Sequence, residues 1–407
     1  MNDEKTSRSG GELGSEPADD RVTFPSQETL RRRRFLKTAA GTAGAAIVAG
    51  SSITQAQESG TDNSNEHYEV EPTPENIQWG IFDPDREPVL EIESGDTVTF
   101  GCVLTAPDEE DHEQYLLDNG IAHSDIFEPE VTVGNEVERE GPHPVTGPVY
   151  VEDAEPGDIL EVYVKDIEVS APYGVSSASP SGALPETDFP EGDSQVIPFD
   201  EERETALFTD SVGVSLEQDV AFPLDPFMGI MAVSQRPSTG PLDTIAPSYF
   251  GGNMDNRRLG VGTTVYFPVS AEGALFWTGD GHASQGDGEV SLTAIETSLS
   301  PTLEFTLHKD VPLDWPVAET DDHYIPMGFS EDLDDAMVNA IREAISILVH
   351  QEGLDPLDAY RLCSINVDFN IAQVVDDMEI IDATIPKSMF SDGGGDLSVE
   401  DLATYQY

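Results

Sequence analysis

Residues 274–289 read Ala-Leu-Phe-Trp-Thr-Gly-Asp-Gly-His-Ala-Ser-Gln-Gly-Asp-Gly-Glu, an apolar run that passes directly into alternating glycines, acids and one histidine. The apolar residues 274–277 predict a strand. The stretch from Gly279 to Glu289 predicts a loop, because its four glycines favour left-handed backbone and leave room for a ligand. Its carboxylates and imidazole offer oxygen and nitrogen donors for a metal ion. We therefore interpret the loop as a functional site and the strands on either side as its support.

Other segments of the chain also follow strand-like patterns of apolar and polar residues. They are residues 89–93, 97–100, 149–152, 159–164, 263–269, 290–295, 303–307, 371–375 and 378–385. The turn sequences Ser94-Gly95-Asp96 and Glu155-Pro156-Gly157-Asp158 predict that the first four segments form two hairpins. Residues 171–195 are rich in Pro, Gly and Ser and predict a long loop, which Leu184 and Phe189 would hold as a packed lid.

Two helices are predicted late in the chain. Ser330 is the predicted cap of the first helix, which keeps an apolar stripe at a 3.6-residue period until Gly353. Asp355 is the predicted cap of the second helix, with Pro356 at its first position. This order of elements predicts an α+β fold that is mainly β, with the helix pair packed on the sheets.

The composition of the chain is strongly acidic. Its 407 residues include 19 Lys and Arg against 80 Asp and Glu, for a net charge of −61. Salt screens the self-repulsion of such a chain, so the composition predicts adaptation to high ionic strength; an ordinary acidic protein is the alternative. The scarcity of cations excludes a nucleic-acid partner. Cys102 and Cys363 exclude a disulfide framework and are interpreted as two buried thiols, with a single bridge as the alternative.

The N-terminal region resembles a twin-arginine export signal. Residues 31–37 read Arg-Arg-Arg-Arg-Phe-Leu-Lys, and a short, weakly apolar run and a small-residue site near residues 54–56 follow. A buried Ala-rich helix is the alternative. This interpretation predicts export without a stable membrane anchor. It also sets the domain boundaries: a disordered polar lead at 1–30, the signal at 31–56, an acidic linker at 57–75, one catalytic domain at 76–390 and an acidic tail at 391–407.

Polar side chains recur two residues apart beside glycines. Asn253 and Asp255, Asp280 and His282, and Asp287 and Glu289 share this spacing, which places both members on one face of an extended backbone. His143 lies between prolines that fix its backbone. Each feature alone is more typical of turn chemistry, but together they could converge on one divalent ion. The sequence contains no Gly-x-Ser-x-Gly, His-Glu-x-x-His or Cys-x-x-Cys motif.

A series of ordered motifs resembles the acetamidase/formamidase family from about Trp79 to Phe390. The matching runs are His143 to Pro148, Pro226 to Gly229, Gly251 to Asp255, Gly273 to Phe276, Gly279 to Glu289, Thr293 to Glu296 and Ala372 to Asp376, with Gly182 and Phe189-Pro190 between them. The resemblance implies a β-rich fold that hydrolyses a small amide to a carboxylate and ammonia. It also implies a divalent metal and a homo-oligomer, dimer or higher.

Carried over by position, the resemblance selects His143, Asn253, Asp255, His282, Asp287, Glu289 and Glu296. We infer that the metal, with zinc as the expected ion, is held by His143, Asp255, His282 and Glu296. The expected catalytic groups are Glu289 for proton transfer, together with Asp287 and His282. The expected substrate contacts are Asn253, Gln285 and Gly147. Calcium is expected only as a second or structural ion.

Two other classes of protein fit the same residues. One is an exported amide-binding or metal-binding protein of this fold without turnover. The other is a wall or matrix protein stiffened by calcium, in which chelation would melt the fold while no small ligand binds.

Overall fold

The computed structural model describes residues 65–104, 117, 137, 139–208, 220–391 and 393–402, which all lie in one unit, Asn63–Tyr407. The predicted lead and export signal, and residues 57–64 of the predicted linker, lie outside the described residues, as do parts of the predicted tail. Neither helix in the described ranges is long and apolar enough to cross a membrane.

Strands dominate the described ranges. The first ten strands are β1 (His67–Val70), β2 (Ile77–Trp79), β3 (Ile81–Phe82), β4 (Leu90–Ile92), β5 (Thr97–Phe100), β6 (Pro144–Val151), β7 (Ile159–Val169), β8 (Tyr173–Ala178), β9 (Asp193–Pro198) and β10 (Thr205–Phe208). They continue as β11 (Val220–Pro223), β12 (Phe227–Ala232), β13 (Leu242–Asp243), β14 (Gly251–Asn253), β15 (Thr264–Pro268), β16 (Phe276–His282), β17 (Leu299–His308), β18 (Val317–Glu319), β19 (His323–Ser330), β20 (Asp368–Gln373) and β21 (Glu379–Pro386). The helices are α1 (Leu333–His350) and α2 (Pro356–Asn366).

Two sheets carry most of these strands. The larger has the order β1-β5-β17-β7-β15-β18-β19-β21-β20, and the smaller β14-β12-β16-β6-β2 with β4 also beside β6. Apolar side chains from both sheets form one core, in which Phe276 of the smaller sheet meets Phe305 of the larger edge to face at a centroid distance of 5.1 Å. The sheets therefore pack on each other as a sandwich, and β16 lies inside the smaller one.

The helix pair packs where the sequence predicts it. Helix α1 lies against β19 and β21, and Gly328 of β19 permits this approach, because a Cβ there would lie 2.2 Å from the backbone nitrogen of Ala340. The predicted α+β, mainly β fold is confirmed. Asp355 caps α2 as predicted, but Ser330 does not cap α1. Ser330 ends β19, and the Asp332 carboxylate accepts from the backbone of the first helical turn instead.

Both predicted hairpins are wrong. Strand β4 pairs in parallel with β6 in the smaller sheet, whereas β5 pairs with β1 and β17 in the larger one; β6 and β7 are divided in the same way. An aspartate closes each corner. Asp96 Oδ2 accepts from the Glu93 nitrogen at 2.8 Å, and Asp158 Oδ2 accepts from the Glu155 nitrogen at 2.8 Å. Such a turn reverses the chain equally well within a sheet or between two sheets, and only distant partners decide which.

The predicted loop at 171–195 is partly a hairpin, because β8 and β9 flank residues 179–192, which lie outside strands as predicted. Its strands pair in register from Tyr173 with Pro198 to Ala178 with Asp193. Leu184 and Phe189 are 54% and 61% exposed, so they do not pack as a lid within the described residues. The predicted strand at 290–295 is also absent, because left-handed backbone at Leu292 (φ 89°) interrupts it. The two cysteines are buried free thiols, as interpreted from the sequence.

The corner at Asp158 supports a test of this architecture. Although burial opposes ionisation, hydrogen bonds from Lys309 and from the backbone of Asp310 and Glu155 hold the pKa of Asp158 below its usual range. Its contribution to stability is therefore complete above the unfolded pKa of about 3.9 and is lost as the pH falls below it. Asp158→Ala should lower the free energy of unfolding by about 2–3 kcal/mol at pH 7.

Denaturant unfolding at pH 7 and at pH 3 measures both effects. The difference between wild type and Asp158→Ala should shrink at the lower pH. Asp166→Ala is the matched control, because Asp166 is an exposed acid on β7. An equal loss of stability in both variants would contradict the role of the corner.

Candidate active site

Six acidic or imidazole side chains converge beyond the ends of β14 and β16. They form three overlapping groups in each of which the potential ligand atoms lie within 4.8 Å of one another. The members are Asp255 after β14, Asp280 and His282 at the end of β16, Glu289 and Glu296 in the following loop, and Asp376 after β20. Strand β12 lies between β14 and β16, so the neighbouring strand ends bring these distant residues together.

Gly229 of β12 forms the floor of this cluster. A Cβ at this position would lie 2.5 Å from Asp255 Oδ1, 2.6 Å from Asp280 Oδ2 and 2.8 Å from His282 Cε1. No real Cβ atom tolerates such distances, so only glycine allows the three side chains to approach each other over the sheet.

Four of the five carboxylates are carried on left-handed backbone. The φ angles are 42° at Asp255, 55° at Asp280, 44° at Glu289 and 62° at Asp376. This conformation costs a non-glycine residue of the order of 1 kcal/mol or more. The conformation directs these side chains into the cluster, whereas a regular strand would direct them elsewhere. The strain in the backbone is therefore the cost of bringing the carboxylates together.

His282 is the centre of the cluster and is 1% exposed. Its Nε2 lies 3.1 Å from Glu296 Oε2 and 3.2 Å from Asp280 Oδ2, and its ring packs edge to face on Phe227. Ligands of one zinc ion, each about 2.0–2.2 Å from it, are separated by distances of this kind. The Nε2 side of the ring is therefore shaped to share a cation or a proton with two carboxylates.

Gln285 determines which nitrogen of His282 faces these acids. Gln285 Nε2 donates to the backbone oxygens of Asp255 (2.6 Å) and Ala372 (3.3 Å), so its Oε1 must be the atom that faces His282 Nδ1 at 3.0 Å. Because that oxygen only accepts, Nδ1 carries the proton. The Nε2 lone pair is then free for a ligand.

Burial and mutual repulsion perturb the ionisation of the whole cluster. Burial raises the pKa of Asp255 and of Glu289 well above the usual range. Neighbouring carboxylates raise both pKa values further, whereas the charge of His282 lowers them. Burial likewise raises the pKa of Asp376 to about 6. Although burial opposes it, Glu296 and Asp280 raise the pKa of His282 well above its usual range. The site thus favours any positive charge placed within it.

The donor set fits a divalent cation. Asp255 Oδ1, Glu289 Oε2 and Asn253 Oδ1 are buried without a hydrogen-bond partner, although buried polar atoms are normally paired. A cation held within the cluster would relieve the repulsion between these carboxylates. The buried acids and histidine could therefore hold a metal ion.

His143, the residue before β6, lies near the cluster. Its Nδ1 lies 3.2 Å from the Thr244 carbonyl oxygen and 3.1 Å from Thr244 Oγ1. The carbonyl only accepts, which places the proton on Nδ1 and leaves Nε2 as the free nitrogen. His143 is not one of the six grouped residues. Although burial opposes ionisation, the charges of His282 and His143 lower the pKa of Asp280 below its usual range.

The cluster is reached from two cavities. One of about 590 Å³ is lined by Asp376, Ser181, Glu331 and Glu379. Another of about 270 Å³ is lined by Gln285, Glu289 and Phe222. Asp280 and Glu296 keep 10% and 24% of their side-chain surface exposed, so the cluster is deeply set but not sealed.

The chain matches the sequence pattern of a known family along most of its length. The sequence pattern described as the Acetamidase/Formamidase family matches residues 75–243 and 234–392. The chain belongs to the acetamidase/formamidase family.

Solved structures of similar proteins agree with this membership. A recombinant protein of the thermophile Thermoanaerobacter tengcongensis, described as a predicted acetamidase/formamidase, has a TM-score of 0.66 and 26% identity over 81% of this chain and 98% of its own. An acetamidase of Bacillus halodurans has a TM-score of 0.63 and 28% identity over 80% of this chain and 100% of its own. A provisionally named formamidase of Schizosaccharomyces pombe is 26% identical over 214 residues, or 41% of this chain; the match spans 52% of the relative, about half its length.

Seven of the residues predicted from the sequence lie in or beside the cluster. The residues brought together or placed beside it are His143, Asn253, Asp255, His282, Gln285, Glu289 and Glu296. Asp280 and Asp376 also belong to the cluster. The family resemblance assigns a role to neither, although the spacing of Asp280 and His282 makes Asp280 a candidate ligand. Both stand in family motifs, and the spacing of Asp280 from His282 was the available signal.

Asp287 and Gly147 do not reach the cluster. Asp287 is 42% exposed along its side chain and binds Arg258, because left-handed backbone at Gly288 and Glu289 breaks the alternation assumed for extended chain. Gly147 lies in β6, where a Cβ would meet the backbone oxygen of Phe276, so it serves the packing of β6 on β16. Gln285 is also fully engaged by His282 and two carbonyl groups.

The floor of the cluster gives a direct test of the cation site. Gly229→Ala should abolish or strongly reduce divalent metal binding, since its Cβ would displace Asp255, Asp280 and His282. Metal per chain, measured by atomic spectroscopy after dialysis against each ion, checks this. Gly260→Ala is the matched control, because a Cβ there has only an ordinary contact at 3.4 Å. Undiminished metal binding by a folded Gly229→Ala protein would contradict the assignment.

Proposed function

We propose that this protein is a metal-dependent hydrolase of small linear amides, of the formamide or acetamide type, which yields a carboxylate and ammonia. The observation that carries the proposal is the buried set of carboxylates around His282, with Asp255 Oδ1 and Glu289 Oε2 left without partners. Membership of the acetamidase/formamidase family and the names of the similar proteins support the same chemistry.

His282, Asp280 and Glu296 are proposed to hold the metal, with His143 and Asp255 beside them. Imidazole nitrogen together with carboxylate oxygen is a donor set suited to zinc. When bound, a divalent cation would supply a Lewis acid for the amide carbonyl and would lower the pKa of a water molecule towards ~7. Calcium stays a proposal only for a second or structural position.

Glu289 is proposed as the proton-transfer group. Burial raises its pKa well above the usual range, which makes the carboxylate a stronger base that can take a proton from the attacking water. The amide nitrogen leaves only after it is protonated, and Glu289 can pass the proton on to it. The carbon–nitrogen bond then breaks, ammonia leaves, and the water oxygen remains on the carbonyl carbon.

Asn253 is proposed to orient the substrate. Its Nδ2 donates to Asp376 Oδ2 at 3.1 Å, which leaves Oδ1 buried, unpaired and able to accept an N–H of the substrate amide. Formamide and acetamide offer little apolar surface, so hydrogen bonds of this kind must provide most of the discrimination.

The setting proposed from the sequence is export through the twin-arginine route into a salty environment, as a homo-oligomer. The net charge of −61 motivates assays at high salt.

Ammonia release tests the reaction. The purified protein, supplied with zinc at high salt, should release ammonia from formamide, acetamide or a longer linear amide. Tight binding of an amide with no release would favour the non-catalytic alternative. The absence of both binding and release for every amide would overturn the proposal.

Two substitutions separate metal binding from proton transfer. Glu289→Gln should keep the metal but lower kcat about 10²–10⁴-fold, the usual range for loss of a general acid or base. His282→Ala should lose the metal as well as the rate. Glu272→Gln and His308→Ala, both outside the cluster, are the matched controls and should change neither. Full activity in Glu289→Gln would show that another group moves the proton.

A further inference from the structure

The place of Glu289 depends on its loop. Glu289 is 6% exposed, lies on left-handed backbone, and its Oε2 has no hydrogen-bond partner that could fix it. Since no hydrogen bond fixes Oε2, the position of the carboxylate depends on the backbone of residues 286–289.

This loop is held at two points. On one side, Gly288 exchanges hydrogen bonds with the end of β20: its nitrogen donates to the Ala372 oxygen at 3.0 Å, and its oxygen accepts from the Val374 nitrogen at 3.1 Å. On the other side, Asp287 accepts two hydrogen bonds from Arg258, from Nη1 at 3.2 Å and Nη2 at 3.0 Å. Glu289 follows two residues after this forked contact.

Arg258 is itself firmly anchored. Its Nη1 also donates to Asp382 Oδ2 at 2.9 Å, and the Asp382 side chain is fully buried in β21. Asn370 donates to the other oxygen of Asp382 at 3.0 Å. The backbone nitrogen of Arg258 donates to Asn256 Oδ1 at 3.1 Å, which connects it to the segment that carries Asp255.

The charge balance makes this contact unusual in the chain. With 19 Lys and Arg against 80 Asp and Glu, few acids can have a cationic partner. Without Arg258, Asp287 and Asp382 would repel each other, and the loop would keep only the backbone contacts of Gly288 with β20. A guanidinium can satisfy both carboxylates at once, whereas the single ammonium group of lysine cannot reproduce the fork.

We propose that Arg258 is a positioning residue that sets the place of Glu289 through its two hydrogen bonds to Asp287. This inference rests on the proposed function. It gives Asp287, which lies outside the cluster, a role in the site: Asp287 does not meet the substrate but ties the loop of the proton-transfer group to the sheet.

Kinetics of Arg258→Lys, Asp287→Asn and the double variant test the proposal. Each single variant should lower kcat about 10–100-fold, the usual effect of losing a group that orients a catalytic residue, with KM changed less than about twofold and the metal retained. The double variant should be no slower than the slower single variant, because both changes break the same contact. Asp287→Asn alters a partly exposed side chain, so its folding is not at risk.

Arg257→Lys is the matched control. Arg257 is the neighbouring arginine and pairs with Asp225 at 3.2 Å on the surface, so its replacement should leave kcat unchanged. If wild type is active and Arg258→Lys and Asp287→Asn keep full kcat, the inference is wrong. A multiplied effect in the double variant, or a matching loss of metal, would also overturn it.

Hydrogen exchange of residues 285–292, followed by mass spectrometry, provides a readout without turnover. Exchange in this segment should be faster in Arg258→Lys and Asp287→Asn than in wild type and in Arg257→Lys. If wild type released no ammonia, the proposed function would fail, and unchanged exchange would overturn the positioning role separately.

Discussion

The mutual repulsion of five buried or half-buried carboxylates around one imidazole is the constraint on which the rest of the site depends. Carboxylates that cannot reach water either take up protons or gather a cation, and the raised pKa values of Asp255, Glu289 and Glu296 show the first response. A flexible peptide would simply separate these groups. Here the ends of β14 and β16, fixed in one sheet by β12, keep them together, so the stability of the sandwich is what maintains the unfavourable cluster.

The residues that support the cluster leave none of their own polar atoms without a hydrogen bond. Gln285 uses every hydrogen-bonding atom of its amide to fix His282 and the neighbouring backbone. Gly229 contributes by the absence of a side chain. Among the described residues near His282, Asn253, Asp255 and Glu289 have buried oxygens without a hydrogen-bond partner, and these are atoms on which a ligand can act. Residues whose polar atoms are all hydrogen-bonded therefore hold the site in place, whereas residues with unpaired oxygens are available for the chemistry.

Local signals in the sequence predicted local structure well. The core strands around residues 159–164 and 303–307 follow from their apolar pattern, and α2 follows from Asp355 and Pro356. The site residues near glycines could also be found, because Asp280 and His282 share one face of an extended strand. Features that depend on contacts between distant residues could not be predicted from the sequence. The corners at Asp96 and Asp158 have the residues of a hairpin turn, Asp287 turns away because of the φ angle at Gly288, and Asp376 joins the cluster only through the pairing of β20.

The left-handed acids have a consequence for the evolution of this protein. Glycine would relieve the backbone at Asp255 or Glu289 and would also remove a repelling charge, so replacing either of them should make the folded chain more stable. In a lineage released from selection for the site, such stabilising replacements should accumulate. These acids would then be among the first residues to disappear.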